Sequence, residues 1–431
     1  MPKIACHTLG CKVNQYDTEA MLEIFEENGY TPVSMDEEAD VYLINTCTVT
    51  GTGDQKSMKL IRRIRREHPN ARIIAAGCLA QRDPQRVMQD GVVLAVGVQR
   101  RKDVFTLYSE AVNTETPIDA TNALKNAEFE NLTVNRHEGK TRATMKIQEG
   151  CDRFCAYCII PYVRGPVRSM KIEDVLMEAE RLQKAGYREI VVTGIHLASY
   201  GRNESHSLID AIRGIHSVEG VQRIRLGSLE PVVITEAFAS ELQALTKVCP
   251  QFHLSLQSGS QTVLKRMHRR YTPDEYMKAV DILRKYFPNC AITTDVIAGF
   301  PGETEEEFEE TLAFIERVNF ARLHVFPYSR RSGTVADRMP NQVPEEIKKK
   351  RAGKIIEIGN RLEKEYVKSL KGTNEWVLFE TCLPDGSAEG YTASYVRVKA
   401  KALPGEMKCV HIKEICDTLA IGDTLTGNGG D

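Results

Sequence analysis

Short apolar runs alternate with helix-period patterns through residues 1–125. Lys3–Thr8 is predicted as a strand, and Asp17–Asn28 as a helix with Met21, Leu22, Ile24 and Phe25 turned inward. Val41–Asn45 is predicted as a second strand, Asp54–His68 as a second helix and Arg72–Ala76 as a third strand. Such alternation predicts a parallel sheet flanked by helices. Residues 126–140 are polar (Asn126, Glu128, Glu130, Asn131, Asn135, His137, Gly139) and read as a linker. From 141 to 368 the strand candidates are Ala143–Gln148, Glu189–Thr193, Gln222–Leu226, Phe252–Leu256, Ala291–Ile297 and Ala321–Phe326. Helical patterns separate them, among them Ile172–Ala185, Thr304–Val318 and Pro344–Leu370. The pattern predicts a partial (βα)6 barrel of parallel strands, in which function gathers on loops at the C-terminal strand ends. Residues 369–431 switch to β-rich runs (Trp376–Glu380, Tyr395–Lys401, Met407–Ile412) broken by Gly, Pro and Asp. They predict a small antiparallel β-barrel. The fold class is thus α/β with a β-barrel at the C-terminal end.

Composition changes this picture little. Charged residues are 27% and hydrophobic ones 42%, ordinary for a globular protein. The net charge of −2 favours no nucleic-acid partner, so any such contact must use local basic patches. The N-terminal residues lack the apolar core of a signal peptide. No apolar run approaches the roughly 20 residues that span a bilayer. The expectation is a cytoplasmic protein without membrane contact. Its 12 cysteines then sit in a reducing compartment, where clusters of cysteines more often bind metal than pair as disulfides.

The cysteines sort by position. Cys151, Cys155 and Cys158 lie within eight residues, just after the first strand of the second segment. Three thiolates so spaced can converge on one iron–sulfur cluster and leave one iron open for a ligand. A zinc site lacking one ligand, or a redox pair, is the alternative, although the C-x3-C-x2-C spacing is unusual for zinc. Cys11, Cys47 and Cys78 each follow a predicted strand of the first segment, in Gly10-Cys11, Thr46-Cys47 and Gly77-Cys78. Parallel strands would carry these three loops to one sheet edge, where the thiols can meet. Buried apolar cysteines are the alternative there, as assumed for Cys6, Cys249, Cys290, Cys382, Cys409 and Cys416. At the strand ends of the second segment, Gly194, Ser228, Glu230, Ser255, Gln257, Asp295, Phe326 and Tyr328 are candidate cofactor contacts, with Tyr157 inside the cysteine motif. Singly each could be an ordinary turn residue; on one rim they read as a ligand pocket.

The motif Cys151-Asp152-Arg153-Phe154-Cys155-Ala156-Tyr157-Cys158 resembles that of the radical S-adenosylmethionine superfamily. The resemblance implies a [4Fe-4S] cluster whose open iron chelates S-adenosylmethionine and cleaves it to a 5′-deoxyadenosyl radical. The whole chain is similar to the methylthiotransferases, through Gly10-Cys11-Lys12-Val13-Asn14, Asn45-Thr46-Cys47, Gly77-Cys78-Leu79-Ala80, Ile160-Pro161-Tyr162-Val163-Arg164-Gly165 and Gly390-Tyr391-Thr392. This implies a methylthiotransferase N-terminal domain (1–125), a linker (126–140), a radical S-adenosylmethionine core (141–368) and an RNA-binding TRAM domain (369–431). It further implies a second [4Fe-4S] cluster on Cys11, Cys47 and Cys78 that carries sulfur. One S-adenosylmethionine would methylate that sulfur and a second would supply the radical. An electron donor such as a flavodoxin or ferredoxin would be a partner.

Three branches of the family act on isopentenylated adenosine in tRNA, on a ribosomal-protein aspartate, and on threonylcarbamoyl-adenosine next to the tRNA anticodon. His7–Ala20 and Thr193-Gly194-Ile195-His196-Leu197 resemble the third branch, which implies an anticodon stem-loop as partner. The family's TRAM motif often carries asparagine where this chain has Ser394, whose hydroxyl can still bond RNA. Basic residues on Lys56–His68 read either as a phosphate-binding surface or as the solvated face of an amphipathic helix. The third segment is net acidic, which leaves Arg397, Lys399 and Lys401, alternating on one strand, as its RNA-facing stripe.

Overall fold

The computed structural model describes the 431 residues except 122, 123, 125, 126, 136–139, 203 and 426–431. Asn126, His137 and Gly139 of the expected linker therefore lie outside the described residues. The first segment forms a six-stranded parallel sheet in the order Thr31–Val33, Lys3–Thr8, Val41–Thr46, Arg72–Gly77, Leu94–Val96, Ile118–Ala120. Val41–Thr46 is buried at every position because helices cover both faces. On one face Met58, Ile61 and Ile64 pack from the helix Gly51–Glu67. On the other, Met21 and Phe25 pack from the helix Lys12–Glu27, with Leu107 beside them. Cys11 occupies the N-cap of Lys12–Glu27, so this helix starts five residues before the predicted Asp17.

Six parallel strands form the open barrel of the second segment: Arg142–Glu149, Glu189–Gly194, Arg223–Leu226, Gln251–His253, Ala291–Ala298 and Arg322–Pro327. The first three pair continuously, as do the last three. Bridges Ile224–Val248 and Leu229–Leu254 join the two halves. The helices pack outside through Val175, Leu182, Ile212, Tyr276 and Phe314. Thr304 caps the helix Glu305–Val318 by a reciprocal bond with Glu307, which fixes where the helix begins.

The helix Glu345–Ser369 leads into a closed five-stranded barrel of Asn374–Cys382, Ala388–Thr392, Arg397–Ala400, Met407–Cys416 and Leu419–Thr424. Closure leaves no free sheet edge. The barrel is antiparallel except where Arg397–Ala400 pairs parallel with Leu419–Thr424.

The C-terminal barrel docks on the N-terminal ends of the first three strands of the open barrel. Arg223 and Arg225 bond the carbonyls of Trp376, Tyr391, Thr392 and Ala393 while sharing Glu189. Tyr391 and Tyr395 stack on each other, and Arg142 lies 5.1 and 5.0 Å from their rings. Ser394 is buried and its hydroxyl bonds Thr392 at 2.9 Å within this turn. Arg397 faces Glu389 and Lys399 faces Asp385, which neutralises two members of the expected basic stripe. No helix among the described residues is long and apolar enough to cross a membrane.

Replacing one partner of a buried, hydrogen-bonded charge set costs about 3–5 kcal/mol. Arg225→Met is expected to lower urea-unfolding stability by about that amount and to speed proteolysis near residue 370. An unchanged midpoint would show that Arg225 does not fasten the C-terminal barrel.

Candidate functional site

Three neighbouring strands of the first sheet end at cysteines. Lys3–Thr8, Val41–Thr46 and Arg72–Gly77 lie side by side in register and deliver Cys11, Cys47 and Cys78 to one edge. Cys11 is exposed, and Cys47 and Cys78 are buried. The three act electrostatically on one another. Burial pushes the Cys78 thiol up to about 12, partly offset by Arg164. Cys47 is raised by burial too, against a bond from the Val49 amide. Asn14 braces the edge by donating to the carbonyls of Leu9 and Thr46 at 2.8 and 3.0 Å.

The second set lies on the loop after Arg142–Glu149. Gly150 turns the chain with φ +74°, and a Cβ there would lie 1.9 Å from the Pro166 carbonyl oxygen, so only glycine fits. The Cys151 amide donates to Gly165 and the Cys158 amide to Cys155. Ala156 is tied to Met267 and Ala336, which fixes the loop on the barrel. Burial raises Cys151 to about 11 and Cys158 to about 12, and the neighbouring thiols add to both. The Arg269 guanidinium donates to Cys155 Sγ at 3.3 Å.

No group of three or more His, Cys, Asp or Glu among the described residues is gathered tightly enough to hold a metal ion. In a polynuclear cluster each cysteine binds a different iron, so its ligands stand farther apart than those around one ion. The chemistry of the donors fits such an anionic group. Four buried cations, Arg101, Lys146, Arg164 and Arg168, share three buried carboxylates, Asp17, Glu130 and Glu149. Arg168 Nε and Nη2 and Arg101 Nη2 have no hydrogen-bond partner. Of these cations Arg164 lies against Cys78, where a bound thiolate would balance its charge.

Arg164 is the hinge of the arrangement. It is fully buried and donates to Cys78 Sγ at 3.3 Å, to Glu149 Oε1 at 2.7 Å and to Asn14 Oδ1. Cys78 belongs to the first set, and Glu149 lies two residues before Cys151 of the second. Ile159, which follows Cys158, packs with Cys78, Val98 and Val163. Arg331 makes a second seam by pairing with Asp54 at 2.7 Å and bonding Thr48 beside Cys47. The two cysteine sets thus face each other across one interface.

The rim candidates divide. Glu230 is buried among Arg153 at 2.9 Å, His196 at 3.1 Å and Arg269 at 3.5 Å. Burial alone would raise its carboxyl, but these partners win and hold it near about 2. Ser228 and Ser255 bond each other at 2.8 Å on the exposed rim. Gln257 has φ +73° and ties the fourth strand to the fifth through Asp295 and Ile297. Asp295 faces His253 at 3.4 Å, and Phe326 is exposed. Gly194 leaves room for Gln148, whose Cβ would lie 2.7 Å from an added methyl. Gln148 in turn accepts from the His196 amide at 2.6 Å. Tyr157 and Tyr328 both pack around Phe300 under the cysteine loop, with Tyr328 buried. Among residues given no role from sequence, Arg164 stood in a quoted motif, whereas nothing local marked Arg269.

A family model of the radical SAM superfamily matches residues 145–315, and one described as uncharacterized protein family UPF0004 matches residues 3–97. The radical methyltransferase TsrM from Kitasatospora setae, solved with cobalamin and a [4Fe-4S] cluster, superposes with a TM-score of 0.60 at 14% identity over 78% of this chain and 77% of that one. Fold and cysteine loop together define a radical S-adenosylmethionine protein. Its relatives narrow that class. The threonylcarbamoyladenosine tRNA methylthiotransferase MtaB of Bacillus subtilis is 43% identical over 93% of this chain and 91% of its own length. The Thermotoga maritima protein of the same name is 35% identical over 97% and 96%. A tRNA-2-methylthio-N(6)-dimethylallyladenosine synthase of Desulfotalea psychrophila is 35% identical over 94% and 95%. The chain belongs to the radical S-adenosylmethionine tRNA methylthiotransferase family.

A carboxyl depressed by its folded partners stabilises the fold above its unfolded value near 4.5, and this gain is lost as pH falls toward about 2. Glu230→Gln is therefore expected to destabilise the cluster-free protein by about 3 kcal/mol above pH 5, with the difference closing by pH 2. A difference independent of pH would show that Glu230 is not held ionised by Arg153, His196 and Arg269.

Proposed function

We propose that this protein methylthiolates carbon 2 of threonylcarbamoyladenosine next to the tRNA anticodon. In this reading residues 1–125 hold one [4Fe-4S] cluster on Cys11, Cys47 and Cys78. Residues 141–368 hold the other on Cys151, Cys155 and Cys158, with S-adenosylmethionine. Residues 126–140 connect them, and residues 369–431 form the TRAM domain. The opposed placement of the two cysteine sets, coupled through Arg164 and Ile159, is the observation that carries the reading. A reaction that places sulfur on an unactivated carbon needs the sulfur held where the radical forms. The relatives of the same name support the substrate.

When bound, the clusters and S-adenosylmethionine supply the radical, the sulfur and the methyl group. The chain supplies position and charge. Arg164 places a buried positive charge against Cys78, and Arg269 places one against Cys155. Arg269 is itself held by Glu230 and by Tyr271, whose hydroxyl accepts from its Nε at 2.9 Å. Gln148 fixes the backbone of His196, and His196 is paired with Glu230. This puts the Gly194–His196 turn and the cysteine loop in one rigid frame. Tyr157, Ser228, Ser255, Gln257, Asp295 and Phe326 are the positions from which the rim would contact S-adenosylmethionine. An electron donor such as a flavodoxin or ferredoxin completes the set of partners.

Anaerobic reconstitution tests the assignment. The native chain is expected to bind about eight irons, the sum of two four-iron clusters, and to form 5′-deoxyadenosine. Replacing Cys151, Cys155 and Cys158 together by alanine should remove about half the iron and all cleavage of S-adenosylmethionine. Replacing Cys11, Cys47 and Cys78 instead should remove the other half and abolish methylthiolation, while cleavage persists. Four irons in the native chain, or methylthiolation without the first three thiols, would refute it.

A further inference from the structure

A cavity of about 190 Å³ lies where all three segments meet. Lys12 and Gln15 line it from the first, Lys140, Thr141, Arg142, Thr144 and Val191 from the barrel side, and Glu380 and Tyr395 from the C-terminal barrel. Three of these residues are cations and one is a carboxylate. Lys140 is paired with Glu19, and Arg142 with Glu380 at 2.7 Å. Lys12 is exposed and makes no ion pair or hydrogen bond among the described residues; Tyr395 and Glu189 act on its charge in one sense, Arg142 and Arg225 in the other. It follows Cys11 directly, so the cavity begins one residue from the first cysteine set. The charge of Lys12 is also felt at His324, which faces Asp295 and His253 in the lumen of the open barrel.

An exposed ammonium in a concave site, with no carboxylate bonded to it, is placed to take an anion. The lining of the cavity suits a short polar substituent. Gln15, Thr141 and Thr144 add amide and hydroxyl groups able to bond a urea or an alcohol. We infer that Lys12 is the specificity-determining residue of this cavity, which receives the carboxylate-bearing substituent of the modified adenosine. The inference rests on the substrate reading given above. It explains preference over a neutral hydrocarbon substituent, because such a group offers the ammonium no partner. A phosphate of the tRNA backbone is the other anion that could occupy the site.

Synthetic anticodon stem-loops carrying the threonylcarbamoyl group as free acid or as its carboxamide separate the two. Binding is read by fluorescence anisotropy on reconstituted holoenzyme, alongside single-turnover methylthiolation. The native protein is expected to prefer the acid about tenfold or more, since a charged hydrogen bond is lost in the amide. Lys12→Gln should erase that preference and Lys12→Arg should keep most of it. Equal binding of acid and carboxamide by the native protein overturns the inference. A preference that survives Lys12→Gln, with both ligands weakened alike, also overturns it and assigns Lys12 to a phosphate. Should Lys12→Gln lose iron, the native comparison and Lys12→Arg still decide. If the native protein methylthiolates a dimethylallyl stem-loop and neither of these, the substrate reading itself falls and the inference falls with it. Preference in binding without turnover would count against the reaction alone.

Discussion

The buried guanidinium of Arg164 is the constraint on which the rest of the molecule turns. It reaches Cys78 of the N-terminal sheet, Glu149 before the cysteine loop of the barrel, and Asn14 behind the sheet edge. A charge taken out of water this completely is tolerated only when its donors are satisfied. Here each bond satisfies it, and those to Cys78 and Asn14 also tie the open barrel to the N-terminal sheet. The price of holding Arg164 in the interface is met by Glu149, which burial would protonate but which Arg164, Lys146 and Arg101 keep ionised. Asp17 joins the same set from the helix that begins at Lys12. The geometry of the two cysteine sets is therefore a consequence of electrostatics at the interface as much as of either fold.

The two ends of the open barrel divide the labour. At the C-terminal strand ends lie the cysteine loop, Glu230 and the serine pair, as parallel barrels generally arrange their chemistry. At the N-terminal ends, Arg142, Glu189, Arg223 and Arg225 grip the C-terminal barrel through backbone carbonyls and two stacked tyrosines. The Gly390-Tyr391-Thr392 motif, which carried the resemblance to a TRAM domain, spends its tyrosine on this seam. On other faces of this barrel Trp376 and Lys401 are exposed.

Much of this was legible in the chain itself. Cys11, Cys47 and Cys78 could be brought together from sequence because consecutive parallel strands place their following loops on one edge. The six barrel strands followed from apolar runs between helical patterns. The strands Thr31–Val33, Leu94–Val96 and Ile118–Ala120 escaped because three residues carry no period. Buried charge was the larger omission. Lys146 and Arg164 look like surface residues until tertiary partners are known. The linker is likewise more than a tether, since Glu130 is buried against Arg101 and Leu132 and Val134 pack with Tyr16. Gly194 ends the second barrel strand, and its small size accommodates Gln148.

In the proposed function, the two cysteine sets, joined by a buried ion network, deliver sulfur to one carbon of one tRNA nucleoside. Mass spectrometry of nucleosides from the tRNA of cells lacking this protein tests that claim most directly. In those cells threonylcarbamoyladenosine should persist while its 2-methylthio derivative disappears, and the native gene should restore it. A 2-methylthio derivative undiminished in those cells would contradict the account.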